Sequence, residues 1–195
     1  LHRYEANACL QADLVLAVSN QDEERLRTAS SNRARFAVIP IAIDCLAVQA
    51  VPRPVESHTL ITVGTLFYPP NAQGIEWFIR TVYPLVKRAV RDVRLIVVGA
   101  RPPHALRKLA DADSSIKLPG FVANLNELIS QSAAMVVPTT AGGGLRVKTL
   151  HAFACGIPVV STRMGAEGIC GVSDAELLIA DDPNDFARHA ITLLT

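Results

Sequence analysis

The stretch AMVVPTTAGGGLRVKTLHAFACGIPVVST, Ala134–Thr162, decides the fold. It opens on an unbroken apolar run, Ala134–Val137, of the kind found in strands buried on both faces. Pro138 ends the run, Gly142, Gly143 and Gly144 make a turn, and helical spacing holds from Leu145 to Ala154. A second short apolar run, Pro158–Ser161, follows. A strand, turn, helix and strand in this order build a parallel sheet with helices laid over it. Ligands of such sheets bind where the carboxyl ends of strands meet helix N-termini. Unpaired amides there point outward, the helix dipole favours negative charge, and glycine lets a phosphate approach the backbone. Arg146 and Lys148 add two cations in the first helical turn, where they oppose the dipole unless an anion lies nearby. The residues alone leave two readings open: a phosphate-binding turn, or a flexible loop beside two solvated charges.

The same alternation extends in both directions. Strands are expected at Asp13–Val18, Phe36–Ile39, Thr59–Val63, Arg94–Val98, Ile116–Leu118 and Leu177–Ile179, most of them short and non-alternating. Helices are expected at Gln21–Ala29, Ala72–Arg91, His104–Asp111, Leu125–Gln131 and Asn184–Leu194. Ser19, three residues before Asp22, is the N-cap of the first, and Asn71 after Pro69 and Pro70 starts the second. The expected class is α/β, a parallel sheet with helices on both faces. Between Asp44 and His58 the run DCLAVQAVPRPVESH has two prolines and no period, so residues 45–57 read as a linker. Residues 1–44 are then a remnant of a preceding domain, and 58–195 a second domain with six strands.

Half of the 195 residues are hydrophobic and 19% are charged, which excludes a disordered chain. Nineteen Lys and Arg against eighteen Asp and Glu leave +1, so no global field collects nucleic acid, and any anion site is local. No apolar run reaches the roughly 18 residues of a bilayer span, and Leu1–Leu10 lacks the order of a signal peptide. Cys9, Cys45, Cys155 and Cys170 form no CxxC pair, which argues against a disulfide framework or zinc knuckle and fits a reducing cytoplasm. The chain opens on Leu1 and closes on the apolar run Ile191–Leu194, both of which read as boundaries within a longer protein.

GGGLRVKTLHAFACGIPVVSTRMGAEGI, Gly142–Ile169, resembles the signature segment of retaining GT-B glycosyltransferases, the group 1 family that uses nucleotide sugars. The glycines, Arg146, Lys148, Leu150, the PVVST run and the Gly165–Gly168 GAEG segment carry the match. VGTLFYPPNAQGIEWFI (Val63–Ile79), LIVVGARPP (Leu95–Pro103), PGFVANL (Pro119–Leu125) and DDPNDFARHAITLL (Asp181–Leu194) are similar to other segments of the donor domain. Upstream, ADLVLAVSNQDEERL (Ala12–Leu26) and VIPIAID (Val38–Asp44) resemble the end of the acceptor domain and the hinge.

The resemblance implies a Rossmann-like donor half of a GT-B architecture, with the acceptor half mostly absent and the fragment inactive alone. It implies sugar transfer from a nucleotide-diphosphate sugar, with retention, to an acceptor sugar or lipid-linked sugar held by the other domain. Arg146 and Lys148 would contact the diphosphate, helped by the amides of Gly143 and Gly144 in the turn begun by Gly142; this charge role requires no metal. Gly64 and Thr65 would line the phosphate side, and Gly120, Phe121 and Val122 would flank the base. His151 stands where the family has a Glu that grips the ribose hydroxyls, and it lacks the two-oxygen acceptor that suits a diol. Glu167 would reach the donor sugar or brace its turn. A cytoplasmic protein, free or peripheral at the inner membrane face, is expected.

Other chemistry finds little support. GxSxG, HExxH, the Walker GxxxxGK and GxGxxG are all missing. His151 and Cys155 are spaced as ligands on one helix face, but no third ligand lies near them in sequence, so a buried helix face is the simpler reading and no metal is assigned. Two further readings accompany transfer: a binding module of glycosyltransferase-like fold without turnover, motivated by His151, and a nucleotide-sugar epimerase.

Overall fold

The computed structural model describes residues 2–45, 48, 50, 57–142, 147–169 and 177–195. Six strands form one all-parallel sheet: β3 (Thr59–Val63), β4 (Arg94–Val98), β5 (Ile116–Gly120), β6 (Ala134–Val137), β7 (Val159–Ser161) and β8 (Leu177–Ile179). Their order across the sheet is β5-β4-β3-β6-β7-β8. Counted within this sheet that is 3-2-1-4-5-6, the doubly wound Rossmann-like order. The strand order therefore reverses between β3 and β6.

The inner strands supply both faces of the core because successive side chains alternate, whereas the edge strand β5 packs only one face. Leu60, Val97, Val136 and Val160 join the cluster beneath α3 (Pro69–Trp77), α4 (Tyr83–Ala89), α5 (His104–Ala112) and α8 (Pro183–Leu194). Their neighbours Ile61, Val98, Val137 and Val159 join the opposite cluster, with Ile129 of α6 (Asn126–Ser130) and Ala152 and Cys155 at the end of α7 (Val147–Ala154). Burying a large apolar side chain contributes roughly 1.5–3 kcal/mol, so a strand with two apolar faces holds the layers together.

A separate two-stranded parallel sheet pairs β1 (Val15–Ala17) with β2 (Phe36–Val38). Both strands are shorter than their apolar runs. Ser19 caps α2 (Asn20–Ala29) as expected, its Oγ accepting from the Asp22 amide at 3.0 Å. A helix not expected from the pattern, α1 (His2–Gln11), precedes them; its mixed polar face shows no apolar stripe, and Ala, Glu, Leu and Gln supply intrinsic propensity instead. Among the described residues no helix is long and apolar enough to cross a membrane.

Two expectations are corrected. The single helix read over Ala72–Arg91 is α3 and α4 joined by a π-turn, Phe78–Val82, in which the Tyr83 amide reaches back five residues to the Phe78 carbonyl. Pro84 explains the widening: it donates no amide, and its ring would strike the carbonyl four residues earlier in a regular helix. Asn71 does not start the helix. α3 begins at Pro69, and the Asn71 side-chain Nδ2 instead donates to the Thr65 carbonyl at 3.2 Å.

The π-turn delivers the buried Tyr83 to a half-buried polar chain. Its hydroxyl donates to the Val93 carbonyl (3.1 Å) and to Ser115 Oγ (3.0 Å), Ser115 Oγ donates to Asp113 (2.6 Å), and Lys87 donates to the same carboxylate (2.7 Å). Burial raises the Tyr83 phenol to about 12, helped by the Asp113 charge and opposed by the Ser115 hydrogen bond. Burial also acts to raise Asp113, but bonds from Lys87 and Ser115 outweigh it and hold the carboxyl below its usual range. An unfolded tyrosine ionises near 10, so the Tyr83 contribution is intact below that pH and declines as pH rises towards 12. Tyr83→Phe is expected to lose about 1 kcal/mol in urea unfolding at pH 7 and to flatten the stability decline above pH 10.

Candidate functional site

The carboxyl edge of the sheet is held together by backbone contacts that leave no room for side chains. The Gly64 amide donates to the Val98 carbonyl at 3.0 Å, and the Gly99 amide to the Gly120 carbonyl at 2.8 Å, so the ends of β3, β4 and β5 are tied in sequence. A Cβ on Gly99 would lie 2.0 Å from the Gly64 carbonyl oxygen. Gly120 has φ +82°, a left-handed turn that redirects the chain into Phe121. Thr65, Phe67, Tyr68 and Phe121 stand exposed along this rim, while Val122 packs against the Ile129 cluster.

On the other side of the reversal point, β6 runs through Pro138 and the Thr139–Gly142 loop towards α7. Gly142 has φ +96°, in keeping with a turn that only glycine makes without strain. Gly143, Gly144, Leu145 and Arg146 lie outside the described residues. Lys148 is half-buried in the first turn of α7, and His151 follows in the next turn. The His151 Nε2 atom is buried and has no hydrogen-bond partner among the described residues, and Thr149 Oγ1 shares that condition. Cys155 is fully buried behind them, and burial pushes its thiol upward, as for an inert core cysteine. Among the described residues no three His, Cys, Asp or Glu side chains cluster.

The ends of β7 and β8 complete the edge. Thr162 Oγ1 donates to the Thr139 carbonyl and accepts from the Gly165 amide at 3.0 Å, which ties the β6 loop to the 3-10 turn Met164–Ala166. A Cβ on Gly165 would lie 2.4 Å from Ser161 Oγ and 2.6 Å from the Val137 carbonyl oxygen. The Arg163 amide donates to Asp181 at 2.8 Å. Beyond the turn, Glu167 Oε1 accepts from Arg25 Nη2 of α2 at 2.5 Å, whereas Oε2 is buried without a partner among the described residues. A cleft of about 710 Å³ opens here, walled by Thr139, Thr140, Thr162, Arg163, Glu167 and Asp181, with Gln21 of α2 opposite.

The sequence-derived residues therefore fall into groups. Gly64, Thr65, Gly120 and Phe121 share one rim; Gly142, Lys148 and His151 lie across the reversal point from it; among the described ones only Glu167 lines the cleft beside β6 and β7. The residues not anticipated are Thr139, Thr140 and Thr162, with Gln21 and Arg25 from the first sheet's helix. The threonines had a signal, since PTT and ST follow directly on fully buried strands. The α2 residues had none, because only tertiary packing brings them within reach.

Residues 57–195 match the family described as Glycosyl transferases group 1. The chain belongs to that family. A curated relative, an uncharacterized 44.6 kDa protein in the cps region of Klebsiella pneumoniae, is 30% identical over 139 residues, 68% of this chain and 36% of that protein. The chain thus spans little more than a third of that relative. Among solved structures, HepE of Anabaena in complex with UDP-glucose superposes with a TM-score of 0.77 at 18% identity, over 98% of this chain and 57% of that one. The pneumococcal O-GlcNAc transferase GtfA in complex with UDP and GlcNAc gives a TM-score of 0.72 at 16% identity, over 99% and 40% of the two chains. The α/β Rossmann-like fold of this group 1 chain is that of its GT-B glycosyltransferase neighbours.

Two glycine substitutions separate crowding from backbone strain. Gly165→Ala is expected to cost about 1–3 kcal/mol in denaturant unfolding, because the backbone around Val137 must move. Gly120→Ala meets nothing within 4 Å and is expected to cost about 1–2 kcal/mol through its left-handed backbone alone.

Proposed function

We propose that this chain is the donor-binding part of a glycosyltransferase that moves a sugar from a nucleotide-diphosphate sugar to an acceptor with retention of configuration. The observation that carries the reading is the placement of the Gly142 turn at the strand-order reversal, with Lys148 and His151 on the first turns of the helix that follows. The UDP complexes of HepE and GtfA, which share the fold, support a uridine-type donor as the first to test.

In such a transfer the barrier lies in parting the sugar from the diphosphate, so fixed positive charge on the leaving group is the main help a protein gives. Arg146 and Lys148 are assigned that role, with the Gly143 and Gly144 amides beside them. Gly64 and Thr65 line the phosphate side, and Gly120, Phe121 and Val122 flank the base. The buried, unpartnered His151 Nε2 is a site for one ribose hydroxyl, since a buried polar atom without a partner costs about 1–3 kcal/mol that a ligand hydrogen bond would recover. Glu167, with one oxygen held by Arg25, reaches the donor sugar or braces its turn.

The acceptor, a sugar or lipid-linked sugar, is assigned to a domain of which residues 1–44 are part, with 58–195 the donor unit; residues 46, 47, 49 and 51–56 of the linker expected at 45–57 lie outside the described residues. The first sheet leaves Leu14, Leu16 and Ile39 exposed at 48%, 57% and 57%, a face suited to packing against more protein. A cytoplasmic setting, free or at the inner membrane face, accords with an activated-sugar donor.

Calorimetric titration of UDP into the full-length protein tests the site. Arg146→Ala with Lys148→Ala is expected to weaken binding by at least about 100-fold, two charge-assisted bonds being lost. Unchanged affinity would remove both residues from the diphosphate. His151→Glu is expected to tighten UDP binding, and unchanged affinity would take His151 out of the ribose site. Labelled donor then separates transfer or hydrolysis from binding alone and from sugar isomerisation.

A further inference from the structure

Arg101 follows β4 by three residues and has φ +53°, a left-handed conformation that glycine takes freely and arginine rarely takes. Its guanidinium carbon lies 4.0 Å above the centre of the Phe67 ring, well within range of a cation–π contact. Phe67 itself is 52% exposed, so the pair sits on the rim and not in a core. Arg101 forms no ion pair with any described residue. A cation is thus held by backbone and ring in one place while its N–H groups have no acidic partner among the described residues. Strained backbone at a ligand-facing edge that also fixes an unused donor array is a mark of a functional position.

Position within the sheet selects the ligand group. Arg101 is two residues beyond Gly99, whose amide is bonded to Gly120, the residue before the exposed Phe121. It therefore belongs to the β3, β4 and β5 side of the edge, and in the sheet order β4 is two strands from β6. Two strand spacings are roughly 10 Å, about the reach of a ribose between a diphosphate at the β6 turn and a base beyond it. A phosphate would be met by Lys148 first. A base presents a flat edge, and a planar guanidinium offers that edge donors only.

Resting on the donor-binding reading above, we infer that Arg101, oriented by Phe67, reads the edge of the donor's nucleobase and selects a base with a carbonyl oxygen where cytosine and adenine carry an amino group. The carbonyl of uracil or guanine accepts from the guanidinium, whereas the amino group presents hydrogens to hydrogens.

The test is titration of the full-length protein with the pairs UDP and CDP, and GDP and ADP, and with inorganic pyrophosphate. The wild-type protein is expected to favour the carbonyl-bearing member of at least one pair by at least about tenfold. Arg101→Gly relieves the left-handed backbone and is expected to melt no lower than wild type; it should reduce that preference below about threefold and leave pyrophosphate affinity unchanged. Arg101→Lys keeps the charge, loses the planar fork and should not restore the preference. Phe67→Leu should reduce it in part.

Equal loss for every nucleotide and for pyrophosphate in Arg101→Gly would make Arg101 a phosphate cation and overturn the inference. So would a preference that survives in Arg101→Gly. A wild-type protein that binds nucleoside diphosphates without distinguishing either pair overturns this inference and leaves the donor reading standing; one that binds no nucleoside diphosphate overturns both.

Discussion

The carboxyl edge of the large sheet depends on close approach of one backbone to another. At Gly74 of α3 a Cβ would lie 2.0 Å from the Pro138 carbonyl oxygen; at Gly99 it would lie 2.0 Å from that of Gly64; at Gly165 it would meet Ser161 and Val137. Atoms cannot share that space, so each glycine sets how near a loop or helix comes to the strand beside it. The three contacts bracket β3, β4, β6 and β7, the strands that flank the reversal of order. Had these positions carried side chains, the rim would splay, and the polar groups at the strand ends would no longer face a common space.

Those contacts also explain which parts of the fold were legible in the amino-acid order. Thr59–Val63, Arg94–Val98, Ala134–Val137 and Leu177–Ile179 matched the observed strands to the residue; in the first three a largely buried strand leaves a continuous apolar run, whereas Leu177–Ile179 is an edge strand with Ile179 exposed. The first two strands are shorter than their apolar runs because they lie in a two-stranded sheet whose ladder covers only three residues each. α1 was missed because its stability comes from residue propensity and packing on α2, neither of which leaves a periodic signal.

Of the candidate site, the positive-φ turn at Gly142 and the place of Lys148 on the first helical turn were legible, and the tertiary partners were not. The turn at Gly142 and the cation Lys148 followed from local order, since a strand end, a glycine turn and a helix start are adjacent in the chain. That Glu167 is held by Arg25, 142 residues earlier, and that Thr162 bonds the Thr139 carbonyl are facts of tertiary arrangement. The same holds for the stacking of Arg101 on Phe67, two residues in separate loops that carry no mark of each other. Sequence reading finds what one segment does; it is weakest where two segments must meet for a group to acquire its role.

The π-turn at Phe78–Val82 makes this helix serve two masters. A regular helix turns by a constant angle per residue, so an aromatic set placed for one neighbour is misdirected for another further along. The extra residue of the π-turn resets that phase. Before the reset, Trp77 and Phe78 meet Phe186 of α8 edge-on; after it, Tyr83 turns its hydroxyl to Ser115 beside β5. One helix thereby acts as a coupling rod between the last helix and the far edge strand, two elements that share no strand pairing.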